Sequence, residues 1–98
     1  MSSAGRATSD YAFAVNVTPK PGILDPQGRA VEGGLAHLGI LGVSGVRVGR
    51  RVELVVAATD EASAREIVDR LARELLSNPL IEAYEIERRD GPAAGTGR

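Results

Sequence analysis

The chain has little or none of several residue types, and each shortage excludes a class of function. It has no cysteine, which excludes disulfides and thiolate metal sites, and one histidine, which excludes a histidine-rich metal centre. Three aromatic residues and a net charge of −1 provide neither a base-stacking surface nor an electrostatic footprint for nucleic acid. No apolar run reaches the roughly 18–20 residues that span a bilayer. The N-terminus lacks the apolar segment of a secretory signal, so a cytoplasmic protein is expected.

The length of 98 residues allows one domain with a modest core. Residues 1–10 and 89–98 are mostly small and polar, so they cannot bury enough apolar surface to offset the entropy of ordering. We predict that both are disordered tails that stability and assembly do not require. The single domain is predicted to extend over residues 11–88.

The first strand is predicted from alternation. Every second residue from Tyr11 to Val17 is large and apolar, while the residues between them are small or polar, as in a half-buried strand. Pro19 and Pro21 are expected to end this strand, because proline cannot donate to a β-ladder.

The turn Asp25-Pro26-Gln27-Gly28 is predicted to begin a helix over residues 26–38. The Asp25 carboxylate suits the N-cap, and Pro26 suits the first helical position. Gly28 lowers helix propensity by about 1 kcal/mol relative to alanine, so leucine at position 28 is expected to stabilise the isolated chain. The turn also presents a helix end, a free glutamine amide and a glycine that lets another backbone approach. Helix capping alone and partner contact therefore both remain open.

Residues 43–58 have two interpretations. Five apolar residues share one parity, which fits a hairpin with a three-residue loop over residues 49–51. They are Val46, Val48, Val52, Leu54 and Val56. A single long strand bent at Gly49 fits the same parity. The hairpin is preferred, because sixteen residues is long for one strand.

A second helix is predicted from an unbroken i, i+3, i+4 apolar rhythm over residues 64–76. Asp60 or Ser63 is expected to cap its start, and Asn78-Pro79 to end it. A last strand is expected over residues 80–88.

These elements follow the order β-α-β-β-α-β. We predict an α+β, two-layer sandwich, with a mainly antiparallel sheet and both helices on one face. The sheet has three strands if residues 43–58 form one long bent strand. Its other face would be bare, and more apolar than a solvated face, which predicts a homo-oligomer that covers it. The residues that carry this expectation are Ala12, Ala14, Val55 and Ile81.

No catalytic constellation is apparent. His37 is near the end of the first helix, where a basic side chain interacts well with the helix dipole. Glu82, Glu85 and Glu87 are interpreted as solvated surface carboxylates. No phosphate-binding glycine loop is present, and the run around Gly49-Arg50 is too short to cradle a nucleotide. That run is either a turn or a basic contact point for an acidic partner surface.

Three blocks of sequence together resemble the PurS family, the small subunit of bacterial phosphoribosylformylglycinamidine synthase. The first is Lys20-Pro-Gly-Ile-Leu-Asp-Pro-Gln-Gly28, and the second is Val46-Arg-Val-Gly-Arg50 with Val52-Glu-Leu54. The third is Leu75 to Ile86, which contains Asn78-Pro79. They occur in family order and cover roughly residues 11–88.

The resemblance implies a subunit without chemistry of its own. In the family's complex, a PurQ-type glutaminase releases ammonia and a PurL-type synthetase uses ATP to convert formylglycinamide ribonucleotide in de novo purine synthesis. The small subunit is implied to join the two and to assist ammonia transfer. ATP, Mg²⁺ and glutamine are implied for the partners, and no cofactor for this chain. The resemblance favours partner-interface roles for Asp25, Pro26, Gln27, Gly28, Gly49, Arg50, Asn78 and Pro79.

An alternative from another functional class is a small ferredoxin-like regulatory module that binds an amino acid. Such modules share the β-α-β-β-α-β order and grip their ligand with a glycine-rich turn after the first strand. Here Pro19, Pro21 and Pro26 stiffen that turn, which suits a fixed docking surface better.

Overall fold

The computed structural model describes residues 7–89. Its elements are, in chain order, β1 (Ser9–Pro19), α1 (Pro26–His37), β2 (Arg50–Ala58), α2 (Glu61–Leu71) and β3 (Glu82–Arg88). A π-helical turn, Ala72–Leu76, continues α2. Both neighbouring strand pairs are antiparallel, so the predicted α+β class and antiparallel sheet are confirmed.

The sheet has three strands in the order β2-β1-β3, and its core lies on the face that α2 covers. Phe13, Val15 and Val17 of the central strand are fully buried on this face. The residues that α2 and its π-helical turn contribute to the core are small, namely Ala64, Val68 and Ala72. Small side chains on the helix let its backbone approach the sheet closely, so a short chain still excludes water from this core.

The predicted hairpin over residues 49–51 is wrong. β2 begins at Arg50, and the residues before it lie outside the sheet. The reason is a competing set of hydrogen bonds: the N–H of Val46 donates to Glu32 at 2.9 Å and the N–H of Val48 to Asp25 at 2.9 Å. Those carboxylates belong to α1 and its cap, so they hold the segment beside the helix. The three-strand form of the fold is the observed one, with a strand shorter than the long bent strand that we considered.

The prediction that both helices cover the sheet is also wrong. α2 packs against β1 and β2, whereas α1 has no comparable packing against any strand. α1 is attached instead to residues 46–48, and the molecule is elongated, with extents of 61 × 32 × 16 Å. Apolar side chains near α1 are exposed as a result: Leu38 is 73% exposed and Leu41 90%.

The sheet face opposite α2 is polar rather than bare and apolar. Arg51 of the edge strand β2 forms ion pairs on this face with Glu87 at 2.8 Å and with Glu53 at 3.0 Å. Ala12 and Ala14, which we expected to be uncovered, are buried between the neighbouring strands. Of the other two residues named in that prediction, Val55 is 38% exposed and Ile81 42% exposed. The face is therefore less apolar than predicted.

The ends of the domain extend slightly beyond the prediction. Ser9 and Asp10, assigned above to a tail, belong to β1 and pair with Ala58 and Ala57. The N–H of Arg89 donates to a β1 carbonyl at 2.9 Å. Residues 7 and 8 precede β1 without regular secondary structure, and residues 1–6 and 90–98 of the predicted tails lie outside the described residues. Within residues 7–89, no helix has the length and apolarity that crossing a membrane requires.

Candidate functional site

Asp25 has two structural tasks, one for each carboxylate oxygen. Oδ1 accepts from the N–H of Gly28 at 3.0 Å, which caps α1, and Oδ2 accepts from the N–H of Val48 at 2.9 Å. The sequence predicted the cap, because the Asp-Pro pair is a local signal. The second bond joins residues 23 positions apart in the chain. Asp25 thus fixes residues 46–48 against the start of α1.

Gly28 and Gly49 both allow close approach within the chain. A Cβ atom at Gly28 would overlap the carbonyl oxygen of Val46, and one at Gly49 would overlap that of Val17. The backbone that approaches Gly28 is therefore the chain's own. The expectation that leucine at position 28 stabilises the chain is wrong, since this overlap outweighs the gain in helix propensity.

Arg50 connects the start of β2 to the turn that precedes β3. Its guanidinium donates two bonds to the Glu82 carboxylate, both at 2.9 Å, and a third to the carbonyl of Leu76 at 2.6 Å. Glu82 also accepts from the N–H of Asn78 at 2.7 Å. The parallel fork of guanidinium and carboxylate is the strong form of such a pair. Arg50 therefore fixes the Asn78-Pro79 turn relative to β2.

A groove of about 540 Å³ lies where these contacts meet. We call it the docking groove. Its lining includes five of the eight residues predicted as interface candidates, namely Asp25, Pro26, Gln27, Gly49 and Arg50. Gly28 is buried in the adjoining first turn of α1, and Asn78-Pro79 is linked to the groove through Glu82. Three motifs that are far apart in sequence are thus brought to one surface.

Seven further lining residues were missed as site residues: Val17, Pro19, Ile23, Leu24, Val48, Ile81 and Glu82. Glu82 was interpreted as a solvated carboxylate, yet its side chain is only 18% exposed and is paired with Arg50. The pair is separated by 32 positions, so no local pattern reveals it. Leu24 gave a signal that we did not use, because a leucine between a glycine turn and an N-cap aspartate is costly to expose unless something covers it.

The carboxylates of the groove are held in their charged forms. The N–H groups of Gly28 and Val48 lower the pKa of Asp25. The Arg50 guanidinium, followed by the N–H of Asn78, lowers the pKa of Glu82. A carboxylate with a lowered folded-state pKa stabilises the fold above its unfolded pKa, which is about 3.9 for Asp and 4.3 for Glu. That contribution is lost as the pH falls through the folded-state pKa, so the groove is expected to weaken in acid.

Asp25→Ala is expected to lower the midpoint of thermal unfolding at pH 7 more than Asp60→Ala does. Asp60 is the matched control, because it caps α2 through Ser63, three positions away, and among residues 7–89 it accepts no bond from a distant segment. The unfolding midpoint of Asp25→Asn should lie between those of wild type and Asp25→Ala, since asparagine caps well but has one acceptor oxygen. The deficit of Asp25→Ala should shrink as the pH falls through the lowered pKa of Asp25. Equal deficits for the two alanine variants at pH 7 would contradict the double role.

Comparison with known proteins identifies the family. The family model described as PurS, phosphoribosylformylglycinamidine (FGAM) synthase, matches residues 12–90. The FGAM synthase subunit PurS of a Synechocystis strain is 46% identical over 77 residues, which are 79% of this chain and 77% of that protein.

Solved structures give the same result. The crystal structure of the PurS subunit from Thermotoga maritima superimposes with a TM-score of 0.77 at 31% identity, over 88% of this chain and 99% of that one. A chain of the structure of PurLQS from the same organism gives 0.76 at 33% identity, over 83% and 99%. The family model spans nearly the whole described domain and includes the segments that form the docking groove. The chain belongs to the PurS family.

Proposed function

We propose that this chain is the non-catalytic subunit of a phosphoribosylformylglycinamidine synthase in de novo purine biosynthesis. It joins a PurQ-type glutaminase to a PurL-type synthetase and assists the transfer of ammonia between them. The observation that carries this proposal is the docking groove, in which three separate family-like motifs form one surface of fixed shape. The similarity to a chain of the PurLQS structure supports the same role.

The chemistry of the reaction is assigned to the partners. ATP, Mg²⁺ and glutamine bind to the synthetase and the glutaminase, and this chain binds no cofactor. The polar groups of the groove support that division, because they are used within the fold. Asp25, Arg50 and Glu82 each bond to backbone groups, and Arg50 and Glu82 also bond to each other. Such groups give a surface its shape and charge. The proposed role places the chain in the cytoplasm, where nucleotides are made.

The alternative of a ferredoxin-like amino-acid-binding module has lost its structural basis. That fold requires four strands and two helices on one face. Within residues 7–89 the sheet has three strands, and α1 does not pack on it.

We also propose that the chain self-associates through α1 and the segment that follows it. Val31 and Leu38 of this region are 48% and 73% exposed, and Leu41 is 90% exposed. Burying one such side chain is worth about 1.5–3 kcal/mol, so a second copy that covers them gains a large free energy. The proposed contact between copies therefore lies away from the sheet face opposite α2, whereas the sequence analysis expected it on that face.

Light scattering is expected to show wild type as a dimer or larger at tens of micromolar. Leu38→Asp with Leu41→Asp should give a monomer, and Leu80→Asp is the matched control, because Leu80 is as exposed but lies in the turn before β3. Wild type mixed with the glutaminase and the synthetase should elute as one assembly that contains all three. A monomeric wild type would refute the self-contact, and separate elution of all three proteins would refute the bridging role.

A further inference from the structure

A second groove, of about 340 Å³, lies beside the docking groove and carries a distinct charge pattern. Its lining includes Lys20, Arg29 and Arg47, which are all exposed, and we call it the cationic groove. It shares Ile23, Leu24 and Asp25 with the docking groove, so the two form one continuous surface.

The three cations stand apart from the other basic residues of the described chain. Residues 7–89 contain ten lysines and arginines. Six of them pair with a carboxylate, namely Arg50, Arg51, Arg70, Arg73, Arg88 and Arg89. Arg65 lies over the Phe13 ring at 5.5 Å. The remaining three all line the cationic groove.

Two carboxylates, Asp25 and Glu32, line the same groove, so its formal charges sum to +1, but no ion pair among residues 7–89 joins either of them to these cations. Both oxygens of Asp25 accept from backbone N–H groups, and Glu32 accepts from the N–H of Val46. The side-chain groups left for an occupant are therefore mainly donors. An occupant that matches them must bring acceptors with negative charge.

An exposed apolar side chain indicates that the occupant is a protein and not a small anion. Leu24 is 68% exposed on the ridge between the two grooves, and Ile23 beside it is 39% exposed. Apolar residues at the centre with charged residues around them are the usual pattern of a protein–protein interface. A phosphate ion would satisfy the cations and leave Leu24 in water, whereas a polypeptide covers both.

We propose that the cationic groove binds an acidic segment of the partner subunit that occupies the docking groove. That segment carries at least two carboxylates beside an apolar side chain, which covers Leu24. The inference rests on the proposed bridging function and adds the chemistry of the partner surface. Charge pairs at the rim of an interface chiefly accelerate association and make it sensitive to salt.

The test is the affinity of the full chain for the glutaminase and for the synthetase, measured from 50 mM to 500 mM NaCl. The test variant combines Lys20→Gln, Arg29→Gln and Arg47→Gln. The control combines Arg65→Gln, Arg70→Gln and Arg73→Gln, which removes the same charge from α2 and its π-helical turn. At low salt the test variant should bind one partner roughly tenfold or more weakly and show a flatter salt dependence, with the control within about twofold of wild type.

Circular dichroism confirms that each variant is folded, and the single change Arg29→Gln provides a milder second variant.

Each contrary outcome has a separate meaning. If wild type binds a partner and the test variant matches it in affinity and salt dependence, the cationic groove is not the contact and the bridging role stands. If wild type binds neither partner, the proposed function fails together with this inference. In a further experiment, inorganic phosphate is added to the complex, and NaCl of the same ionic strength is added to a control sample. Displacement of the partner by phosphate beyond that by chloride, absent from the test variant, would show a small-anion site and overturn the acidic segment. Binding of single-stranded DNA to the same three cations would overturn it as well.

Discussion

Gly28→Ala is expected to destabilise the chain, whereas Gly33→Ala in the same helix is expected to stabilise it. A methyl group at position 28 would overlap the Val46 carbonyl oxygen and also press on the Asp25 carboxylate. Relieving that overlap requires the segment of residues 46–48 to move, which breaks the bond between Asp25 and the N–H of Val48. Overpacking of this kind costs about 1–3 kcal/mol of the free energy of unfolding.

Gly33 is the matched control, because nothing lies within 4 Å of a Cβ atom built there. Alanine at an open helical position raises the free energy of unfolding by about 0.5–1 kcal/mol. Urea denaturation of the two variants and wild type measures both changes at once. Equal or greater stability of Gly28→Ala would contradict the close approach of α1 to residues 46–48.

The elements predicted correctly are those with local signals. The start of α1 was predicted because Asp25-Pro26 is a self-contained cap, and the last residue of the helix was placed within one position. β1 was predicted because alternation needs no partner to be recognised. α2 followed from its apolar rhythm, and the observed cap is Asp60, one of the two candidates.

The errors arose where distant groups compete for the same backbone. Parity in residues 43–58 shows which side chains share a face, but does not show what binds the N–H groups of Val46 and Val48. Two carboxylates of α1 and its cap bind them, so a strand became a segment held beside the helix. The same contacts draw α1 away from the sheet, which the order of elements alone does not reveal.

The candidate site was predicted in part for the same reason. The resemblance to a family pointed to Asp25, Gln27 and Arg50, and the structure gathers them in one groove. Glu82 was missed, because its role depends on Arg50 across the fold. Gly28 was predicted to let the backbone of a partner approach. The backbone that approaches it is that of Val46, which the sequence could not indicate.

Gln27→Ala is expected to leave thermal stability unchanged and to lower glutamine-dependent turnover of the reconstituted three-subunit system. Gln27 is exposed in the docking groove, and the cap of α1 is made by Asp25 without it. Loss of an interface residue worth about 1.4 kcal/mol weakens assembly tenfold, so turnover at limiting chain concentration should fall by about that factor. Glu66→Ala on the exposed side of α2 is the control and should match wild type. A variant that folds normally and supports full glutamine-dependent turnover at limiting concentration would remove Gln27 from the interface.

The most direct test of the bridging role compares two nitrogen sources in the same reaction. Formation of formylglycinamidine ribonucleotide is measured with the synthetase and the glutaminase, with and without this chain, using either glutamine or ammonium as the nitrogen donor. We predict that omitting the chain abolishes most glutamine-dependent turnover and leaves ammonia-dependent turnover of the synthetase intact, because the chain joins the partners and performs no chemistry. Glutamine-dependent turnover that persists at full rate without the chain, or an equal loss with both nitrogen sources, would contradict the account.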